Sequence, residues 1–397
     1  MIAPLRESFN KSFTKEKYKS FLEALDKDFP GAIEFRVAET PVFVDNGLAT
    51  KMIECCNSII DFIKSDSFLS KTERAIPINE RIPNEGKHTH FIAFDFGICD
   101  DEKGDLYPAL IEMQGFPTLF AYHAYYPEIL EKFFEIPSDF SNYFNQLSKE
   151  SYLAYLKSVI VGQHDPKEVI LLEIKPHEQK TRIDFYCTEQ YLGIKAICIT
   201  ELIAEGSKLF YYHNGEKVQI KRIYNRLIAD ELNAKKDALG PIVDFSVPYE
   251  IEWITHPHWF YRISKFTLPF LDHPCIPETK FLNELTTLPQ NLTEYVLKPL
   301  FSFAGQGVII DIEEEDIKQI KDPENWILQK KVNYADCIVT PSGNAKVEIR
   351  LMYIWEENAE RPILVNNLAR LSKGKMIGVR YNADKDWVGG SVAYFKK

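Results

Sequence analysis

The stretch Tyr295-Val-Leu-Lys298-Pro-Leu-Phe-Ser302-Phe-Ala-Gly305-Gln306-Gly307-Val308-Ile-Ile-Asp311 decides how the rest of the chain is read. Its two apolar runs, 295–297 and 308–310, are rich in β-branched and aromatic residues and predict strands. A Ser/Ala/Gly turn separates them, and glycine lets such a turn close tightly with its amides aimed at an anion. Lys298 stands at the mouth of the turn, where an ammonium reaches a phosphate lying over the hairpin. No Gly-Lys-Ser/Thr opens a following helix, so the stretch is not a P-loop. By itself it fits an ordinary hairpin with a surface lysine equally well.

The chain has 397 residues, enough for roughly two or three domains with large cores. Its net charge of −11 argues against a nucleic-acid or anionic-membrane binder, since both need a surplus of Lys and Arg. A local basic pocket for a small phosphorylated ligand remains compatible with that balance. The first residues lack the basic region and apolar core of a signal peptide. No apolar run approaches the roughly 20 residues that span a bilayer. Seven scattered cysteines contain no Cys-x-x-Cys pair, which predicts reduced thiols in a cytoplasmic protein and neither a disulfide framework nor a zinc ribbon.

Outward from the opening stretch, hydrophobic periodicity predicts helices up to about residue 71, with Phe21, Leu22, Leu25 and Phe29 at helical spacing. Two strands follow, 90–99 and 106–114, joined by the polar Asp100-Asp-Glu-Lys-Gly104-Asp105 turn as an antiparallel hairpin. Residues 125–160 return to helical character. A strand at 168–173, a helix at 182–192, a strand at 193–200 and a hairpin turning on Asn214-Gly215 describe a small α/β layer. That layer lacks a Gly-x-Gly-x-x-Gly loop, so dinucleotide binding is not expected there. Beyond an acidic helical segment at 313–320, strands at 326–332, 346–355 and 362–371 predict an antiparallel sheet.

Asp95 lies within an aromatic strand, where a charge must be paired or bound to a cation. Glu112 and Gln114 are two apart on a strand and project from one face. Oxygen donors on adjacent strands suit Mg²⁺, and pairing with basic residues elsewhere is the alternative. His88 and His90 have no evident third ligand, and His256 and His258 are read as packed beside Trp259.

In order, these pieces are Asp95; Ile111-Glu112-Met-Gln114; the 168–226 layer with Ile223-Tyr-Asn-Arg226; Ser264-Lys265-Phe-Thr-Leu-Pro; the Lys298 to Val308 hairpin; Trp326-Ile-Leu-Gln329; Leu368-Ala-Arg370-Leu; and Asp384-Lys-Asp386-Trp. Their order resembles the ATP-grasp superfamily, in its circularly permuted, glutathionylspermidine-synthase-like branch, over about residues 85 to 397. The resemblance implies an α/β (α+β) fold in which antiparallel sheets sandwich a nucleotide. It implies a permuted ATP-grasp segment with metal-binding strands over 85–160, which leaves the helical amino-terminal region, read from periodicity, over 1–84. A Rossmann-like preATP-grasp α/β domain would span 161–250, and the nucleotide-binding subdomains 251–397.

Carried onto this sequence, the resemblance places Lys298 on the ATP phosphates or adenine N7, with Lys265 as a further phosphate contact. Gly305, Gln306, Gly307 and Val308 would form a lid over the phosphates, with Ser302 in the same nucleotide-binding turn. Gln329, Lys330, Lys331 and Val332 would line the adenine, chiefly through backbone groups. Asp95, Glu112 and Gln114 would hold Mg²⁺. Arg370 and Arg350 would stabilise an acylphosphate transition state or hold a carboxylate, and a salt bridge at a strand end is the structural alternative for either. The chain departs from the branch at Ala93, where Arg is usual, at Gln114, where Asn is usual, and at Lys330, where many relatives carry an acid.

The implied activity is ATP-dependent ligation of a small-molecule or peptide carboxylate to an amine. The alternative is a catalytically weakened protein that binds nucleotide as a regulatory partner. A papain-like Cys/His amidase arrangement is not present in the amino-terminal region.

Overall fold

The computed structural model describes residues 1–301, 307–374, 377, 382 and 384–397. The chain begins with helices α1 (Ala3–Ser12) and α2 (Lys15–Lys27). Thr14 caps α2 by accepting from the Lys17 amide, which satisfies one orphan donor of the first turn. Phe21 and Leu25, one turn apart, bury the same stripe. The expectation of a purely helical start is then corrected by β1 (Val42–Val44). Its partner is the strand at the other end of the chain, with Val42 parallel to Ala393, and local periodicity carries no trace of that pairing. Asp45 caps α3 (Asn46–Ile63) through the Leu48 amide, and the short α4 (Phe68–Lys71) follows.

The expected hairpin is β2 (Phe91–Asp100) with β3 (Leu106–Gln114). Asp95 faces Glu112 across the ladder and Phe96 faces Leu110, so Ile111 is an extra residue that bends the pair next to the acids. Helix α5 (Tyr122–Phe133), β4 (Phe140–Ser141) and α6 (Lys149–Ile160) lead to the α/β layer.

That layer contains β5 (Val169–Glu173), α7 (Arg182–Leu192), β6 (Lys195–Cys198), β7 (Ile203–Glu205), β8 (Lys208–His213), β9 (Glu216–Ile220), β10 (Arg222–Asn225), α8 (Ala229–Leu239) and β11 (Glu252–Ile254). Asn214 at φ 50° and Gly215 at φ 86° make the tight turn between β8 and β9. The run that reads as one strand through residue 224 is divided at Lys221. Strand β9 stays in the antiparallel β7-β8-β9 sheet, and β10 joins the parallel β11-β10-β5-β6 sheet. Alternate residues of β5 feed two cores: Val169 and Leu171 join the helical side, Ile170 and Leu172 the β8–β9 side. A parallel strand covered on both faces is therefore apolar throughout.

The last part comprises α9 (His258–Arg262), β12 (Thr279–Phe281), β13 (Tyr295–Pro299), α10 (Glu314–Gln319), β14 (Trp326–Lys330), β15 (Lys346–Ile354), β16 (Ile363–Ser372), β17 (Gly389–Ser391) and β18 (Ala393–Lys396). Two antiparallel sheets result, β12-β14-β13 and β17-β16-β15-β2-β3, while β18 lies between β1 and β4. The return arm of the opening hairpin is slighter than its sequence predicts, a single bridge between Leu297 and Ile309. On the larger sheet Phe94, Phe96, Ile98, Val347, Ile349 and Leu351 pack with Met52, Cys56 and Ile60 of α3. The opposite face carries the charged residues described below. Among the described residues no helix is long and apolar enough to cross a membrane. The cysteines are free.

Candidate functional site

The polar face of the five-stranded sheet is written into its register. Asp95 lies between Glu112 on β3 and Arg350 on β15, and Glu348 lies between Gly97 on β2 and Arg370 on β16. Directly opposed residues share a face, so Asp95, Glu112, Glu348, Arg350 and Arg370 all project from one side. Arg350 clamps Asp95 with two bonds, Nε to Oδ1 at 2.5 Å and Nη2 to Oδ2 at 2.6 Å. Arg370 Nη2 donates to Asp95 Oδ2 at 2.8 Å and to Glu348 Oε2 at 2.7 Å. The Tyr334 hydroxyl donates to the other Glu348 oxygen. Room for Tyr334 comes from Gly97, where a Cβ would lie 2.6 Å from the Tyr334 ring.

Burial works against the Asp95 carboxylate, and the Arg350 and Arg370 guanidiniums outweigh it, holding the group below the usual carboxylate range. Glu348 moves the other way: burial, with the Asp95 and Glu112 charges, raises it against the pull of Arg370. For Arg370, burial disfavours the charge, but Glu348, Asp95 and Glu112 raise its pKa and keep it protonated.

Lys298 comes from the smaller sheet, and Lys265 from the 3-10 helical turn Lys265–Phe270. Val296 faces Gln329 and Lys298 faces Ile327 across β13 and β14, which puts Lys298 and Gln329 on one face. Lys298 Nζ donates to Gln329 Oε1 at 2.6 Å, and Gln329 Nε2 donates to Thr279 Oγ1 at 3.0 Å. Burial, reinforced by the Lys265 charge and opposed by Glu112 and Glu348, pushes the Lys298 ammonium down to about 8. Lys265 Nζ donates to the Pro299 carbonyl at 3.0 Å; burial lowers its pKa while Glu112 and Asp230 raise it. The Glu112 charge thus bears on Lys265, Lys298 and Arg370 together.

Lys298, Lys265, Gln329, Asp95, Glu112, Arg350 and Arg370 are therefore gathered between the two antiparallel sheets. Gln114 lies at the end of β3, opposite Ala93 and on the same face as Glu112. Gly307 takes φ +73°, and a Cβ there would lie 3.0 Å from Pro299 Cγ, so glycine is required at the foot of the turn. Ser302, Gly305 and Gln306 lie outside the described residues. The adenine expectation is narrowed, because the Lys330 and Lys331 amides donate to the Glu278 and Glu294 carbonyls. The Lys331 side chain pairs with Asp311 at 3.4 Å. Backbone recognition at 329–332 would fall to carbonyls and the Val332 amide.

The expected metal cradle of Asp95, Glu112 and Gln114 does not fit a divalent ion. Both Asp95 oxygens are held by guanidinium groups, and Mg²⁺ needs free carboxylate lone pairs. Among the described residues no three His, Cys, Asp or Glu side chains come together as a metal site. The histidines have other work. His88 stacks on Trp355 with ring centres 4.2 Å apart, His90 pairs with Glu357 at 3.0 Å, and His258 pairs with Glu85 at 3.0 Å. Arg350 likewise spends its guanidinium on Asp95, the structural alternative for that residue.

Sequence reasoning missed Glu348 and Tyr334. Glu348 and Arg350, two apart in an otherwise apolar strand, were a readable signal of a polar face. Tyr334, in the segment after β14, carried none.

No family model and no curated protein matches the sequence. Among solved structures, the chain is similar to the apo form of a glutathione synthetase-like effector (GSS30) from Globodera pallida, with a TM-score of 0.60 and 10% identity. The match covers 97% of this chain and 98% of that one. The chain thus has the fold of a glutathione synthetase-like protein, in the mixed α/β, ATP-grasp-like class with paired antiparallel sheets.

Proposed function

We propose that the chain is a nucleotide-binding ATP-grasp protein of the circularly permuted, glutathionylspermidine-synthase-like kind, acting as a carboxylate–amine ligase. One observation carries this reading: Lys298, Lys265 and Arg370 converge with Glu112 between two antiparallel sheets. In the proposed reaction a substrate carboxylate oxygen attacks the γ-phosphorus of ATP, and ADP leaves. The amine then attacks the acyl carbon of the acylphosphate, phosphate departs, and the amine loses a proton. Lys298 and Lys265 would hold the phosphates. Arg370 would balance charge that grows on the transferring group. Gln329 would keep the Lys298 ammonium oriented through its side-chain oxygen. The carboxylate and amine would be small molecules or peptides, and the protein would work in the cytoplasm without nucleic acid or membrane.

A second reading is favoured by the arginine clamp on Asp95: a protein that binds nucleotide as a regulatory partner and turns over weakly or not at all. Calorimetry with ATP and ADP separates both readings from a fold without a nucleotide site. Lys298→Ala, by removing a charge-assisted contact worth about 1.5–3 kcal/mol, should weaken binding roughly 10- to 100-fold. Nucleotide binding that Lys298→Ala leaves unchanged would sink the assignment. ADP release from pools of carboxylates and amines then distinguishes ligase from binder.

A further inference from the structure

A divalent cation in this fold position would face Asp95, and the sheet has already put a cation there. Arg350 stands directly opposite Asp95 in the β15–β2 register and reaches both carboxylate oxygens at 2.5 and 2.6 Å. Asp95 is 2% exposed and Arg350 9% exposed. A buried, two-bond pair of this kind is strongly destabilised when one partner is taken away. A metal would have to expel Arg350 to use Asp95. Glu348 is engaged in the same manner, by Arg370 on one oxygen and Tyr334 on the other.

The charge balance points the same way. Asp95, Glu112 and Glu348, with Asp230 beside Lys265, meet four basic groups, Arg350, Arg370, Lys265 and Lys298. The acids of the cluster are thus matched by the chain's own cations before any metal is added. Arg370 remains the accessible guanidinium, its side chain 39% exposed, and its Nε is a buried donor without an acceptor. Such a surface attracts a polyphosphate directly.

We propose that Arg350 stands in for the divalent cation, so that this chain holds a nucleotide polyphosphate on Arg370, Lys298 and Lys265 without a metal ion. The proposal rests on the nucleotide-binding reading above. Glu112, the acid outside the clamp, orients the two lysines and Arg370 electrostatically and ligates nothing.

The test is calorimetric titration of the full chain with ATP and with ADP, in excess Mg²⁺ and in EDTA. The expected dissociation constants agree within about fivefold, a difference of about 1 kcal/mol. Binding more than about fivefold tighter in Mg²⁺ overturns the proposal and leaves the nucleotide reading standing. Absence of binding under both conditions overturns the two together. Arg350→Gln supplies the converse arm: with the two-bond clamp gone and only Arg370 left on Asp95 Oδ2, a Mg²⁺ preference above about fivefold should appear. A folded Arg350→Gln protein that remains indifferent to Mg²⁺ overturns the assignment to Arg350. Should that variant fail to fold, the wild-type comparison in Mg²⁺ and EDTA still decides.

Discussion

The two faces of strand β2 make opposite demands on neighbouring residues. Phe94, Phe96 and Ile98 enter a core shared with α3 and the back of β15. Ala93, Asp95 and Gly97 face Gln114, Arg350 and Glu348 and their neighbours on the front. The back face is held by burial, which is non-directional and tolerates exchange of apolar shapes. The front is held by paired charges, whose desolvation nearly cancels their attraction. One strand therefore joins a face held by burial to a face of paired charges.

Variants at six positions test that contrast. Phe94→Ala should destabilise the protein most, by about 3–5 kcal/mol, through the cavity it opens in the core; urea denaturation gives the number. Arg350→Met should cost about 3 kcal/mol by leaving Asp95 partly unpaired, whereas Asp95→Leu combined with Arg350→Met should return close to wild-type stability. Additive losses in the double variant would mean that the front face is held as firmly as the back.

Gly97→Ala should cost about 1–3 kcal/mol, because the new methyl meets the Tyr334 ring. A matching loss in Tyr334→Phe, with no further loss on combining the two, would locate the effect in the Tyr334–Glu348 contact. The smallest effect is a pH slope. Burial lowers Lys298 to about 8, against about 10.4 for an unfolded lysine. Between those values the unfolded chain binds more protons, so stability rises with pH across the window. Nucleotide affinity should run the opposite way, falling as Lys298 loses its proton above about pH 8. Lys298→Met should flatten both trends, and calorimetry at pH 7 and 9 reads them.

Much of this architecture was legible in residue order. The antiparallel hairpin around Asp95 and Glu112, the helix at Arg182–Leu192, the Asn214-Gly215 turn and the strands from Trp326 onward follow from periodicity and turn chemistry. Of the residues singled out, Lys298 lies against Gln329 and Arg370 against Asp95. For Asp95 the sequence left two readings, a metal ion or a basic partner, and the structure shows Arg350 and Arg370 on its oxygens. An acid in an aromatic strand must have a partner, but sequence does not say whether the partner is a metal ion or an arginine on another strand.

Residue order alone set the period of each element, the tight turns and the presence of unusual charges on otherwise apolar strands, because these depend on neighbours a few residues apart. The pairing of Val42 with Ala393 emerges first in the folded chain. So do the closure of Arg350 and Arg370 on Asp95 and the room that Gly97 makes for Tyr334. Those outcomes depend on strand order and register between segments far apart in the chain, which local patterning leaves open.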